Sequence, residues 1–164
     1  NFTFGDEQYQ YYETISGGTG AGSDFDGASA VQSHMTNSRL TDPEVLEWRF
    51  PVRVDSFSIR QGSGGKGKHK GGNGVIRRIE FLQSMNAAIL SSHRSTQPFG
   101  AAGGKSGKIG RNYVERHNGQ IEELQATDQT QMAAGDTFVI ETPGGGGYGC
   151  VEPNSPHLRP EAEC

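Results

Sequence analysis

Long hydrophobic runs are missing from this sequence. No apolar stretch approaches the ~20 residues a bilayer-spanning helix needs, and hydrophobic residues make up only 32% of the 164, so no membrane partner is expected. Cysteine is scarce: Cys150 and Cys164 sit near the end of the chain and form neither a metal-binding nor a redox motif. A reduced, cytoplasmic setting is therefore expected. Excess positive charge is lacking too, and the net charge of −4 argues against bulk nucleic-acid binding. The five histidines, His34, His69, His93, His117 and His157, show no H-x-H or H-x-x-x-H spacing, so no metal site is expected. A G-x-S-x-G nucleophile elbow is also absent. The length fits one domain with enough chain for a core. Low hydrophobicity leaves two readings, partial disorder or a piece of a larger protein whose core lies partly elsewhere. A first residue of Asn rather than Met favours the second.

Glycine is what the chain has in quantity, 25 residues in all, with runs at 17–18, 64–65, 71–72, 103–104 and 144–147. Glycine costs backbone entropy and is placed where φ is positive or where backbones approach closely. Without a collagen period, this much of it means loops of prescribed shape. Such loops either connect elements or offer backbone N–H donors to small polar or anionic groups. Two nucleotide motifs can be excluded. Gly104-Lys105-Ser106 lacks the required glycine five residues before Gly104, where Phe99 stands, and no apolar helix follows. Gly17 to Gly22 has the wrong spacing for a dinucleotide fingerprint. Arg60, Lys66, Lys68, Lys70, Arg77 and Arg78 fall between Ser56 and Ile79 with no acid among them; this stretch suits a phosphate or an ordinary solvated face.

Local patterns predict a mostly β (β-rich α+β) fold with one short helix near 43–49 and long glycine-rich loops. Residues 7–15 are tyrosine-rich and β-branched, and read as extended; 28–36 reads as a second extended segment. Thr41 and Glu44 have capping-box spacing, Pro43 suits a first helical turn, and Phe50-Pro51 ends the helix. Val52, Val54, Phe57 and Ile59 alternate imperfectly with polar residues, as in a half-buried strand. Strands are also expected over 75–82, 87–92 and 137–141. A hairpin is expected over 113–124, where Asn118-Gly119 suits a type I′ turn. Residues 1–149 form the folded unit in this reading, and 150–164 a flexible tail.

The block from Ser33 to Glu44 holds the best candidate site. His34 is followed within eight residues by Thr36, Asn37, Arg39 and Asp42. A neutral imidazole can transfer a proton near neutral pH, while Asn and Arg orient a carbonyl or carboxylate. His34 is accordingly the candidate catalytic residue, with Asn37, Arg39, Gly18 and Gly20 as candidate substrate-binding residues. The competing reading is a histidine bonded to backbone beside a helix cap. These residues do not make a complete mechanism.

Five blocks together resemble the hydantoinase B/oxoprolinase family: Tyr11 to Gly22, Ser33 to Glu47, Ser63 to Gly74, Pro98-Phe99-Gly100 with Gly103-Gly104, and Gly135-Asp136 leading to Glu141 through Gly149. The second block is the most specific, and the similarity runs in order over nearly all of 1–149. The Tyr-Tyr-Glu-Thr and Gly-Ala-Gly context looks closest to the 5-oxoprolinase branch. The resemblance implies part of an ATP-dependent cyclic amide hydrolase that opens 5-oxo-L-proline to glutamate. In that family a hydantoinase A-like ATPase portion phosphorylates the substrate, which makes a poorly electrophilic lactam carbon attackable. It also implies a small cyclic amide substrate, ATP and Mg2+ for the whole enzyme held mainly outside this stretch, and a homo-oligomer. No cofactor is expected within the stretch, which is not expected to act alone. An ATP-dependent N-methylhydantoinase, an acetone carboxylase-type subunit and a non-catalytic assembly module remain as alternatives.

Overall fold

The computed structural model describes residues 1–33 and 36–151. Among them the chain order is β1 (Phe2–Gly5), β2 (Gln10–Glu13), α1 (Pro43–Arg49), β3 (Val52–Ile59), β4 (Val75–Phe81), β5 (Met85–Leu90), β6 (Arg111–Glu115), β7 (Ile121–Leu124), β8 (Thr127–Met132) and β9 (Thr137–Glu141). Every strand pairing is antiparallel. The strands make a four-stranded sheet, β2-β1-β5-β8, and a five-stranded sheet, β3-β4-β9-β6-β7.

Strand β4 shows how pattern dictates burial. Its residues alternate between buried and half-buried without a break, so Val75, Arg77, Ile79 and Phe81 share the inner face. Strand β3 pairs Val52 with Phe81, Val54 with Ile79, Phe57 with Arg77 and Ile59 with Val75. Its register shifts between Val54 and Ser56. One extra residue, Asp55, turns Phe57 and Ile59 back to the face of Val52 and Val54. That bulge is the imperfection in the alternation seen in the sequence.

Aromatic side chains join the two sheets. Phe2 of β1 lies 4.6 Å, centroid to centroid, from Phe138 of β9, and Phe4 lies 5.3 Å from Phe81, edge to face. Met85, Ala87, Ile89, Met132, Val114 and Ile140 fill the space around them. Each large apolar side chain buried this way contributes about 1.5–3 kcal/mol.

The expected helix is present at Pro43–Arg49, with a different cap. Asp42, rather than Thr41, accepts the Glu44 N–H at 2.9 Å, with Pro43 in the first turn. Leu46 is buried, and Glu47 Oε1 accepts the Val54 N–H at 2.8 Å, tying the helix to β3. The 113–124 hairpin is present with a different turn. Gly119 donates to the Arg116 carbonyl at 2.8 Å and has φ +85°, while Asn118 is not in the left-handed region. A turn closed by one left-handed glycine replaces the type I′ turn. Residues 28–36 form no strand among the described positions; Val31 makes one isolated bridge to Gly17.

Glycine-rich stretches pack at one end of the sandwich, with 143–149 in their middle. Gly145 donates to the Gly72 carbonyl and accepts the Gly65 N–H, each at 2.8 Å. The Gly146 carbonyl accepts the Ala21 N–H at 2.9 Å. Gly147 donates to Lys105 and accepts from Ala101, both at 2.9 Å. A Cβ on Gly144, Gly145, Gly146 or Gly147 would overlap the carbonyl of Ser63, Thr19, Phe99 or Lys66 respectively. Glycine here permits backbone-against-backbone packing, a core without side chains.

Candidate functional site

The specific block is held at both ends and presented in between. At its start, Gln32 Nε2 donates to the Thr14 carbonyl at 2.9 Å, and the Thr36 hydroxyl donates to Gln32 Oε1 at 2.8 Å. At its end, Asp42 caps α1 and Thr41 reaches toward the Tyr11 phenol. Between these anchors Asn37, Ser38 and Arg39 are exposed. No ion pair holds Arg39 among the described residues. His34 lies outside the described residues, as does the tail from Glu152 onward.

A buried charged unit supports the end of the block. Arg77, on the inner face of β4, donates through Nε to Glu13 Oε1 at 2.7 Å and through Nη2 to Oε2 at 3.0 Å. The Tyr11 hydroxyl donates to the same Oε2 at 2.8 Å. Burial, with the Glu13 carboxylate adding to it, pushes the Tyr11 phenol up to about 12, so it remains a hydrogen-bond donor at neutral pH. The polar chain Arg77–Glu13–Tyr11–Thr41 thus leads from between the sheets to the cap of α1. Sequence reading missed it because Tyr11 and Glu13 looked like ordinary members of an extended segment. The one available signal was that Arg77 shares its parity with the apolar Val75, Ile79 and Phe81 in a strand-like segment.

The glycine candidates sit in the bundle. Gly18 donates its N–H to the Pro143 carbonyl at 3.0 Å, and a Cβ there would overlap Gly72. Gly20 has a freer surface: a Cβ would meet nothing nearer than the Gly146 carbonyl at 3.9 Å. Around them Thr19, Ala21 and Gly22 give their N–H groups to Ala28, Gly146 and Phe25. The bridge between Gly17 and Val31 brings the two candidate loops together at their near ends. No hydrogen bond joins Asn37 or Arg39 to Gly18 or Gly20 among the described residues. The N–H groups of Gly104, Lys105 and Gly107 are taken by the carbonyls of Ala101, Lys66 and Pro98. Among the described residues, no group of three or more His, Cys, Asp or Glu is placed to hold a metal, and no helix is long and apolar enough to cross a membrane.

A two-sheet antiparallel sandwich closed at one end by packed glycine loops, with the family-like blocks in order along it, defines the chain's class. The chain belongs to the hydantoinase B/oxoprolinase family, whose model matches residues 1–151. It is 52% identical over 149 residues to a 5-oxoprolinase of Dictyostelium discoideum, and 47% identical over 149 residues to 5-oxoprolinase 1 of Arabidopsis thaliana. Each match covers 91% of this chain and 12% of the relative, so the chain spans about an eighth of those proteins. The crystal structure of an ATP-dependent caprolactamase from Pseudomonas jessenii shares the fold, with a TM-score of 0.72 and 24% identity. That match covers 91% of this chain and 28% of the caprolactamase chain.

Proposed function

We propose that this chain forms part of the lactam-hydrolysing, hydantoinase B portion of an ATP-dependent 5-oxoprolinase, which converts 5-oxo-L-proline, ATP and water to L-glutamate, ADP and phosphate. The observation that carries this reading is the near-half identity to two 5-oxoprolinases along nine-tenths of the chain. ATP, with Mg2+, is held by a hydantoinase A-like ATPase portion of the full enzyme; the N–H groups of Gly104, Lys105 and Gly107 here are taken by backbone carbonyls. The reaction takes place in the cytoplasm, and this chain alone does not complete it.

Within this chain the presented block meets the substrate. Arg39 pairs with the 5-oxoproline carboxylate, because a guanidinium offers two parallel N–H bonds. Asn37 orients the ring amide and His34 carries the proton. Gly18 and Gly20 shape the wall beside them, with Gly20 as the position of close approach.

The deciding experiment offers the full-length polypeptide 5-oxoproline, a hydantoin and acetone with bicarbonate, each with ATP. Glutamate and ADP formed together from 5-oxoproline, well above either alternative, is the expected result. Faster turnover of the hydantoin or of acetone would overturn the assignment. A second reading, a non-catalytic assembly module, draws on the backbone donors of Gly18, Thr19, Ala21 and Gly22, which are taken by nearby carbonyls. It requires that replacing Arg39 leave turnover intact.

A further inference from the structure

We propose that the pocket between the 92–96 turn and β6 is a binding site for a small oxyanion, a carboxylate or a phosphate, held by Arg94 with Arg60 beside it. Neither residue belongs to the presented block, and the proposal does not depend on the 5-oxoprolinase reading.

Five arginines are buried or half-buried among the described residues, and four of them meet a carboxylate. Arg60 pairs with Glu141, Arg77 with Glu13, Arg78 with Asp55 and Glu115, and Arg116 with Asp136, all at 2.6–2.7 Å. Arg94 makes no ion pair among the described residues. Its Nε and Nη2 donate to Asn112 Oδ1 at 3.1 and 2.8 Å, and its Nη1 donates to the Ser92 carbonyl at 2.7 Å. Every one of these acceptors is neutral. A guanidinium carries five N–H groups, so the three bonds leave two N–H for something else. Burial, and then the charge of Arg60, hold the Arg94 pKa down to about 10, against the opposing charge of Glu141, which is itself paired with Arg60. A cation largely withdrawn from water, with no carboxylate bonded to it, gains strongly from an arriving anion.

The seat for this cation is built. Asn112 is buried, and its Nδ2 is fixed by Ser91 Oγ at 3.0 Å and the Gln125 carbonyl at 3.1 Å, which settles its Oδ1 toward Arg94. Gly110 lies under the guanidinium, where a Cβ would stand 2.5 Å from Nη1. The Gly110 N–H holds the His93 carbonyl at 2.8 Å. His93 has φ +54°, an uncommon conformation for a residue with a side chain, and its ring Nδ1 meets the Thr96 carbonyl at 3.0 Å. This turn directs Arg94 inward. The resulting cavity of about 320 Å³ is lined by Arg60, Arg94, Ser95 and Gly110, and at its rim by Arg111 and Glu123, which neutralise each other as an ion pair. Its size suits a small carboxylic acid or a phosphate, and a planar guanidinium fork suits either.

The test uses the full-length polypeptide and its Arg94→Gln and Gly110→Ala variants. The second keeps the charge but displaces the guanidinium. Thermal unfolding is followed during separate titrations with acetate, glutamate and inorganic phosphate at constant ionic strength. The expected result is a saturable rise in Tm of the parent with a carboxylate or with phosphate, shifted at least tenfold to higher concentration in both variants. The anion that titrates the difference identifies the class. A response equal in parent and variants places binding elsewhere and overturns the proposal. No response in the parent overturns it as well, because the counter-charge is then another part of the same polypeptide. If Arg94→Gln fails to fold, Arg94→Lys is read in its place, and an anion response as strong as the parent's would count against the fork.

Discussion

Arg77 and Glu13 meet as a two-point ion pair between the two sheets, with side chains 1% and 3% exposed. Arg77 stands in a row otherwise filled by Val75, Ile79 and Phe81, so its charge is matched from the opposite sheet or not at all. Glu13→Gln leaves a buried cation with half its partner. The expected loss is about 3–5 kcal/mol, the range for breaking a buried pair from one side. Replacing both residues by apolar ones of similar size should cost less than either single change. Chemical denaturation of the three variants measures this, and a double variant less stable than both singles would contradict it.

The glycine bundle makes a positional prediction. In Gly145→Ala the new methyl meets the Thr19 carbonyl, which the Gly72 N–H holds in place, and in Gly146→Ala it overlaps the Phe99 carbonyl. Both should lose more than the ~1–3 kcal/mol common for overpacking. In Gly20→Ala the methyl meets only the Gly146 carbonyl at 3.9 Å. That variant should unfold within a few degrees of the parent. Equal melting temperatures for all three would show that the packing yields.

Acid stability should report on Asp136. Burial raises the pKa of this carboxyl, but the N–H groups of Ala133 and His117, together with Arg116, outweigh that and leave it below the usual carboxylate range. A depressed folded pKa adds stability that is present in full above the unfolded value of about 3.9 and is lost as pH falls through the folded value. Asp136→Asn should therefore be less stable than the parent at neutral pH, and the gap should narrow below about pH 4. Melting temperatures across pH 3–7 check this; a gap independent of pH would remove the charge from the explanation.

Kinetics of the full enzyme separate the roles proposed in the presented block. Arg39→Lys keeps a cation but loses the fork, so the KM for 5-oxoproline should rise more than kcat falls. His34→Ala should mainly lower kcat. Wild-type kinetics in both variants would make the block a structural element.

Much of the fold was legible because it is local. Pro43 and the acidic residues around it start a helix that Phe50-Pro51 stops, and the β-branched run around Val75, Ile76 and Ile79 reads as a strand. Other elements were not legible because their cause is distant. β1 is four residues long and becomes a strand by pairing with β2 on one side and β5 on the other. β8 reads Thr-Asp-Gln-Thr-Gln-Met, with little strand propensity, and is placed by its pairing with β5. Residues 28–36 read as extended, yet among the described positions Val31 makes only an isolated bridge, to Gly17.

The sequence by itself determined the mostly β class, the short helix, the site of the hairpin and, through the Ser33–Glu44 block, the family. Each rests on interactions within a few residues or on an unusual local string. Only the tertiary structure decided what the glycines are for, since the cost of a Cβ depends on which carbonyl lies opposite, often tens of residues away in the chain. It also decided which arginines are neutralised. Arg77 and Arg94 look alike in sequence, but β2 brings a carboxylate to the first, while the turn at His93 brings the second only neutral acceptors.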